Sequence, residues 1–407
     1  MRRESAFSQP LFLRFFPSSC LSTLGSWIVR FLLGWSAWEL TQSALWVGVV
    51  AGLMLLPTFI LSPVFGIVAD RINPRNGLLV TVILQGLIAL LAGVANHGGQ
   101  FSLPWLLCMA TLLGAASSAH TPIRLALIPR LVERHALPSA IGISAIIFNT
   151  SRIFGPAVGA WLLANYSLSV AFYAAAVLFV GTLLLLFSVR IEPRPIRMTS
   201  LSLLQQFREG LRYVRTHPAI KLVLAYTLVN GLLGRTALEL LPALSGQLLS
   251  GGAATLATLT AAAGVGSIVG GLVVSRQNSG EASLLRLVTL CLTVGACSML
   301  TVHWLSGVTA FSVLIMALSM ITTIVGTGTQ ALAQLLVDED YRGRVLSLWT
   351  VLAMGSPAIG ALAMGGLADL LRFPPVWSGF ALLALLAVAI LYRKRDWLPP
   401  APPAHQV

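Results

Sequence analysis

Ionisable side chains inside or at the edge of apolar segments are the first candidates for chemistry in this chain. Of its 407 residues, 57% are hydrophobic and only 10% are charged. A charge within hydrocarbon costs at least about 2.5–3.5 kcal/mol on insertion scales, so it should face the protein interior, a partner charge or water. Guanidinium groups bind carboxylates in a bidentate fork, and an intramembrane carboxyl can carry a proton. Anion binding and proton transfer are therefore predicted at Arg30, Glu39, Arg152, Arg235 and Glu239.

Each of these charges also has a structural interpretation, and the sequence leaves both open. Arg30 and Arg152 either coordinate an anionic or catecholate-like substrate, or bond backbone carbonyls or a single acid such as Glu39. Arg235 and Glu239 are four residues apart, which predicts either a pair along one helix or a Glu239 carboxyl whose protonation is linked to substrate release. Uncharged candidates for lining a cavity, or for interhelical hydrogen bonds, are Gln85, Asn149, Asn230 and Gln330.

The elements that must position these residues are predicted to be membrane spans. Soluble domains carry about a quarter charged residues, and the mean hydropathy here is +0.86. A span needs about 20 mainly apolar residues. Twelve segments qualify, at 13–37, 45–69, 77–95, 103–121, 139–163, 168–189, 219–242, 253–275, 284–303, 307–330, 345–368 and 375–392.

The basic residues predict the orientation of these spans. The formal net charge of +13 comes from cations scattered between apolar segments, which is typical of cytoplasmic loops and not of a nucleic-acid partner. With the N-terminus inside, every Lys and Arg except Arg372 and the three arginines within spans falls in a cytoplasmic segment, and Arg124 is counted there. Both termini are therefore predicted in the cytoplasm.

The chain is predicted to consist of two six-helix bundles, 1–190 and 219–407. A cytoplasmic linker with an amphipathic helix, 191–218, joins them. The halves carry related patterns at an offset of 205 residues, or 201 for the last pair. The matches are Gly66 with Gly271, Arg71 with Arg276, 131–133 with 336–338, and 156–160 with 357–361.

A charged motif ends the second apolar segment, with Gly66, Asp70, Arg71 and Arg75 in the pattern G-x-x-x-D-R followed by a further Arg. It resembles the signature between helices two and three of the major facilitator superfamily, although Asn73-Pro74 replaces the usual Gly-Arg. The resemblance implies an all-α polytopic membrane fold with twelve transmembrane helices in two six-helix pseudo-repeats. It also implies a cytoplasmic gate, in which Asp70 meets the N-terminal end of span eleven near 344–348, where the helix dipole favours an anion.

A second motif, in span five, consists of Gly142, Gly155, Pro156 and Gly159. It resembles the motif of facilitator exporters, in which small residues pack spans five and eight together and the proline bends the helix. An ordinary GxxxG packing face is the alternative. Further segments at 35–44, 121–129 and 341–345 resemble the enterobactin-exporter-like group, which includes siderophore and macrolide efflux proteins.

The predicted function is secondary active export of a small organic molecule across a bacterial inner membrane by alternating access. Protons are the expected coupling ion, from the family resemblance alone, because Ala110 stands where the fourth-span motif of proton antiporters has an arginine. An anionic siderophore and an amphiphilic drug are the competing substrates, and a facilitator-fold sensor that no longer transports is a third possibility. The expected partners are the substrate, protons and the lipid bilayer, and the expected state is a monomer.

Enzyme signatures are absent from the sequence. There is no G-x-x-x-x-G-K-[ST] run for ATP, and neither H-E-x-x-H nor G-x-S-x-G occurs. We therefore predict no catalytic residues, no cofactor and no metal site.

Overall fold

The computed structural model describes residues 6–189, 203–276, 280–338 and 341–393. Some helical residues within these ranges, including Gly66, Asp70 and Arg71, are described only by their backbone helix. The described ranges contain helices and no strand, as predicted. The α-helices are α1 (Pro10–Thr41), α2 (Ala44–Arg71), α3 (Pro74–His97), α4 (Leu103–Leu127), α5 (Leu137–Asn165), α6 (Leu168–Phe187), α7 (Leu203–Thr216), α8 (Pro218–Val229), α9 (Thr236–Glu239), α10 (Leu241–Ala243), α11 (Ala253–Ser275), α12 (Glu281–Leu300), α13 (Gly307–Leu336), α14 (Arg342–Leu371) and α15 (Phe373–Arg393).

Local sequence explains where the helices begin. The side chain of Asn73 accepts a hydrogen bond from the backbone N–H of Arg75 (3.0 Å), and Pro74 occupies the first helical position, where its missing N–H costs nothing. Ser43 caps α2 in the same way through the N–H of Trp46. The Asn73-Pro74 departure from the family motif is thus the N-terminal cap of α3.

Nine helices within the described ranges are long and apolar enough to cross a membrane, and they correspond to nine of the twelve predicted spans. The other three predictions fall on α1, α2 and the segment from α8 to α10. Serines and charged residues lower the hydropathy of α1, although its 32 residues are long enough to cross a membrane. Within α2, the described apolar segment Ala44–Pro57 is shorter than the length required of a span.

The predicted span 219–242 is not one regular helix. α8 runs into a π-helix, Asn230–Arg235, then into α9, α10 and a second π-helix, Leu244–Leu248. Apolar composition predicts burial in a membrane but does not report the hydrogen-bond register of a helix, so this interruption was not predicted. Arg235 is the last residue of the first π-helix and Glu239 is the last residue of α9, and their pairing stays a prediction.

The helices group into two compact units. The first contains Met1–Ser200 and Gly251–Thr260, and the second contains Leu201–Ser250 and Ala261–Val407. α1 to α6 therefore belong to the first unit, and α7 belongs to the second.

Glycines allow close helix approach within the first unit. A Cβ on Gly114 of α4 would lie 2.6 Å from the carbonyl oxygen of Met54 in α2. A Cβ on Gly155 would meet Trp27, and one on Gly159 would lie 2.8 Å from Phe31, so this face of α5 packs against α1. The sequence analysis assigned these glycines to a contact with span eight, and in the first unit they serve a different neighbour.

The remaining members of the span-five motif have looser surroundings. Gly142 is exposed, and a Cβ built on it would meet no heavy atom within 4 Å. Pro156 is half-buried in the middle of α5. Of the motif's three glycines, only Gly155 and Gly159 are therefore required to be small by packing within this unit.

Candidate functional site

The most unusual residue of the first unit is Arg124, which is only 6% exposed. The sequence analysis counted it among cytoplasmic cations, and this was wrong. α4 continues to Leu127, six residues beyond the predicted end of its span at 121, and carries Arg124 and the 8%-exposed His120 inside the bundle. Polar residues ended the predicted span early, whereas the neighbouring helices supply polar groups that receive them.

Arg124 has neutral neighbours and no carboxylate in the described part of the chain. Its Nη1 lies 3.5 Å from the hydroxyls of Ser19 and Thr23 on α1, and its Nε has no hydrogen-bond partner. An arginine stays charged in proteins. Breaking or omitting the partner of a buried charge is strongly destabilising, so this guanidinium is a strong binding group for an anion or water.

His120 lies one turn before Arg124 on the same face of α4. Its Nδ1 is 3.0 Å from the Thr81 hydroxyl of α3, which in turn donates to the carbonyl of Leu78 at 3.0 Å. Because the single hydroxyl hydrogen goes to Leu78, Nδ1–H donates to Thr81 and Nε2 carries the lone pair. That Nε2 is buried without a partner, beside a cavity that also borders Arg124, Ser18 and Ser22.

A third buried group extends this cluster along α3. Gln85 is fully buried, its Oε1 accepts from Ser26 of α1, and its Nε2 has no partner. On each helix the residues recur at helical spacing and share one face. We call this set the polar seam, and it consists of Ser19, Thr23 and Ser26 on α1, Thr81 and Gln85 on α3, and His120 and Arg124 on α4.

Arg30 is connected to Arg124 through aromatic rings. The guanidinium of Arg124 lies 6.0 Å from the ring centre of Phe148 on α5, and Phe148 packs edge-on against Trp27 with 5.8 Å between centres. Arg30 lies 5.5 Å from the Trp27 ring. Cations within about 6 Å of a ring centre are attracted by its electrons. We call Arg124, Phe148, Trp27 and Arg30 the cation–aromatic ladder.

Arg30 and Glu39 do not form an ion pair. Nine residues on one α-helix correspond to half a turn beyond two full turns and a rise of about 13.5 Å, so the side chains point to opposite sides. Glu39 is exposed near the end of α1. On α5, Arg152 is half-buried and Asn149 is exposed.

Arg75 caps a helix in this structure. Its Nε donates to the carbonyl of Leu186 (3.2 Å) and its Nη2 to the carbonyl of Phe187 (3.1 Å), at the C-terminus of α6. A cation is favourable there because the last carbonyls lack helical partners and carry the negative end of the dipole. The side chains of Gly66, Asp70 and Arg71 are outside the description, so the predicted gate stays a prediction.

The second unit has a different unusual feature, the π-helix Asn230–Arg235. Asn230 is 5% exposed, its Nδ2 donates to the carbonyl of Thr322 (3.3 Å), and its Oδ1 has no partner. Gly231 packs so closely against Ser356 and Pro357 of α14 that a Cβ would overlap Ser356. Single π-turns are frequent at functional sites, so this is a second candidate region.

Within the described ranges, the fold is that of a polytopic helical membrane protein. The chain matches the family described as transmembrane secretion effector over residues 4–401. It belongs to that family of the major facilitator superfamily, and the resemblance found in the sequence is confirmed.

Relatives agree with this assignment at different coverage. The staphyloferrin A transporter of Staphylococcus aureus is 24% identical over 93% of this chain and 94% of its own length. The multidrug resistance protein MdtG of Enterobacter lignolyticus is 31% identical, over 37% of this chain and 35% of that protein. Among solved structures, a mutant of the nucleoside transporter NupG aligns with a TM-score of 0.72 at 13% identity, covering 94% of this chain and all of that one, which shows the fold alone.

Sequence reasoning named Gln85 as a cavity candidate and missed the rest of this site, although its residues carried a signal of their own. Ser19 and Thr23, Thr81 and Gln85, and His120 and Arg124 are all spaced four apart within apolar helices. Each pair marks a polar stripe on one helix face. Which stripes meet depends on helix packing, and the sequence alone did not give it.

Proposed function

We propose that this transporter exports a small organic anion from the cytoplasm across a bacterial inner membrane by alternating access. The observation that carries the proposal is Arg124, a buried guanidinium with no carboxylate partner among the described residues. A purely structural arginine would be expected to have its charge matched within the protein. Here the matching negative charge comes from the substrate.

The cation–aromatic ladder supports an anion with an aromatic or other flat group. Arginine planes bind carboxylates in a bidentate fork and stack on rings. Phe148 and Trp27 offer ring edges and faces between Arg124 and Arg30. A siderophore-like anion, carboxylate or catecholate, fits this lining, and the similarity to the staphyloferrin A transporter points the same way.

Proton antiport by a monomer, with both termini in the cytoplasm, completes the proposal. It rests on the family resemblance and on the distribution of basic residues. Within the seam, the buried Nε2 of His120 has no hydrogen-bond partner among the described residues, so it is a candidate to contact the substrate. Asp70, Glu39 and Glu239 are the other candidates for the proton pathway.

Export of an amphiphilic drug is the second candidate function. An apolar groove between α2, α3 and α4 favours it, lined mostly by aliphatic side chains and by a single polar one, Thr81. The local similarity to MdtG points in the same direction. Such a substrate would bind through burial of apolar surface and would not need Arg124.

Flux measurements on purified full-length protein in proteoliposomes test the proposal. The probes are a carboxylate siderophore, a catecholate siderophore and a macrolide, each with and without an imposed pH gradient. Hydrogen bonds to charged groups contribute about 1.5–3 kcal/mol. Arg124→Gln should therefore lower gradient-driven siderophore flux by about 10- to 100-fold, since each factor of ten corresponds to about 1.4 kcal/mol.

Arg14→Gln is the matched control, because Arg14 is an exposed arginine on α1 outside the seam. It should leave siderophore flux unchanged. Macrolide flux that is indifferent to Arg124→Gln, without any siderophore flux, would overturn the anion assignment and support the second candidate.

A further inference from the structure

Helix α7 is fastened to the second unit by one of its faces. Glu209 forms an ion pair with Arg344 of α14 (3.1 Å). The Tyr213 hydroxyl donates to the carboxylate of Asp338 (3.0 Å), and the backbone N–H of Asp338 donates back to the same hydroxyl oxygen (3.2 Å). The Tyr213 ring stacks on Tyr341 with 4.5 Å between centres. These contacts fix the rotation of α7 about its axis.

The buried hydroxyl is suited to hold this position. Burial raises the pKa of the Tyr213 phenol above its ordinary value, so it remains protonated and donates to Asp338 throughout the neutral range. Gly210 lies on the same face, where a Cβ would be 3.2 Å from the Cβ of Arg344. At Glu209, Gly210 and Tyr213 the inward face of α7 is therefore held by contacts with its own unit.

The outward face of α7 carries three exposed arginines, Arg208, Arg212 and Arg215, at positions i, i+4 and i+7. None of the three forms an ion pair with any residue in the described ranges. Leu211 lies among them and is 38% exposed. We call these four residues the arginine face.

The arginine face lies next to the membrane boundary by covalent connection. Only His217 separates α7 from α8, whose residues Pro218–Val229 begin the seventh predicted span. Lys221, on the first turn of α8, is also exposed. A helix held at the start of a span, with cations and a leucine outward, matches the pattern of interfacial helices that bind anionic lipid.

We propose that the arginine face binds the anionic headgroups of phospholipids in the adjacent leaflet. Each cation near a charged leaflet gains favourable electrostatic energy, and Leu211 inserts at the acyl boundary. The occupant is the lipid surface, because three aligned guanidiniums with one apolar side chain match a sheet of phosphates over hydrocarbon. This assignment is independent of which molecule is exported.

Hydrogen–deuterium exchange of full-length protein in nanodiscs tests the assignment. We compare phosphatidylcholine discs with discs containing about 30% phosphatidylglycerol, and follow the amides of 208–216. Exchange should slow several-fold in the anionic discs, and about 0.5 M salt should abolish the difference because it screens surface charges. The triple variant Arg208→Gln, Arg212→Gln, Arg215→Gln should lose the difference, and the corresponding triple Lys variant should keep it.

A matched triple Gln variant at Arg276, Arg286 and Arg393 removes the same charge from exposed positions of the same unit, and it should behave like the unmodified protein. Equal exchange in both discs, or an equal loss in this control, would overturn the proposal. Slowing by inorganic phosphate in neutral discs would assign the face to a soluble anion instead of a lipid surface.

Discussion

The two bundles differ most at positions that the internal repeat makes equivalent. At the offset of 205 residues, Arg124 and His120 of α4 correspond to Thr329 and Val325 of α13. Thr329 is fully buried and satisfied, since its hydroxyl donates to the carbonyl of Gly326 (3.1 Å) and accepts from the indole N–H of Trp349 (3.3 Å). At equivalent positions, the first unit has the buried guanidinium of Arg124, whose Nε has no hydrogen-bond partner among the described residues, and the second has the fully hydrogen-bonded hydroxyl of Thr329.

Backbone regularity shows the reverse pattern. α1 is an uninterrupted helix of 32 residues, whereas the equivalent seventh span is broken by the π-helix that begins at Asn230. Asn230 corresponds to Gly25 of α1 at the same offset. The two units thus differ in their special features, with a buried charge in the first unit and an irregular helix in the second.

The largest effect is expected from a substitution that buries an arginine in the second unit. Thr329→Arg would place a cation at a fully buried position that now holds a neutral hydroxyl, at a cost of about 3–5 kcal/mol. The thermal unfolding midpoint of the purified protein should fall sharply or the protein should fail to accumulate. Thr329→Val, which removes one hydrogen bond worth about 1 kcal/mol, is the control. An unchanged midpoint in Thr329→Arg would remove the physical basis of the argument about Arg124.

A smaller effect is expected from filling the π-helix contact. Gly231→Ala should destabilise by about 1–3 kcal/mol through overpacking, because its methyl group would overlap Ser356. Gly25→Ala should cost less, since its Cβ would lie 3.1 Å from the ring of Phe179, a longer distance than the overlap at Gly231. Thermal unfolding compares the two variants, and Ser356→Ala should partly rescue Gly231→Ala. Equal losses without rescue would show that the close contact does not define this region.

The smallest effect is expected at the helix cap that Arg75 forms. Arg75 binds the last carbonyls of α6, and its repeat equivalent is Gly280. Arg75→Gln should cost about 0.3–1 kcal/mol, the usual range for a cation at a helix C-terminus. A midpoint that does not move, together with a large transport defect, would instead favour the gate role predicted from the sequence.

The sequence predicted the helical class and nine of the spans well, because hydropathy reports transfer into hydrocarbon. The prediction failed where the structure depends on which helices pack together and which polar groups they contribute. The end of α4 was placed too early because Arg124 is charged, and a charged group can lie inside a helical bundle when residues of other helices, such as Ser19, provide polar contacts. Partners of this kind come from other helices and leave no local pattern.

Arg75 also shows that the sequence alone does not give contacts between distant residues. A family motif suggested its role, whereas its observed partner, the carbonyl of Leu186, is 111 residues away in sequence. Arg30, predicted to lie within a span, lies in α1, and its neighbour is the ring of Trp27 and not Glu39. Helical periodicity excluded the Glu39 pair in principle, since nine residues place the two on opposite faces.

We propose that Arg124 serves to bind the ligand and does not stabilise the protein. The most direct test measures the unfolding midpoint and gradient-driven siderophore flux of Arg124→Gln in the same preparation. Removing an unmatched buried charge should leave the midpoint unchanged or raise it, while flux falls by about 10- to 100-fold as charge-assisted bonds are lost. A lowered midpoint with flux retained would contradict the account and make Arg124 a structural residue.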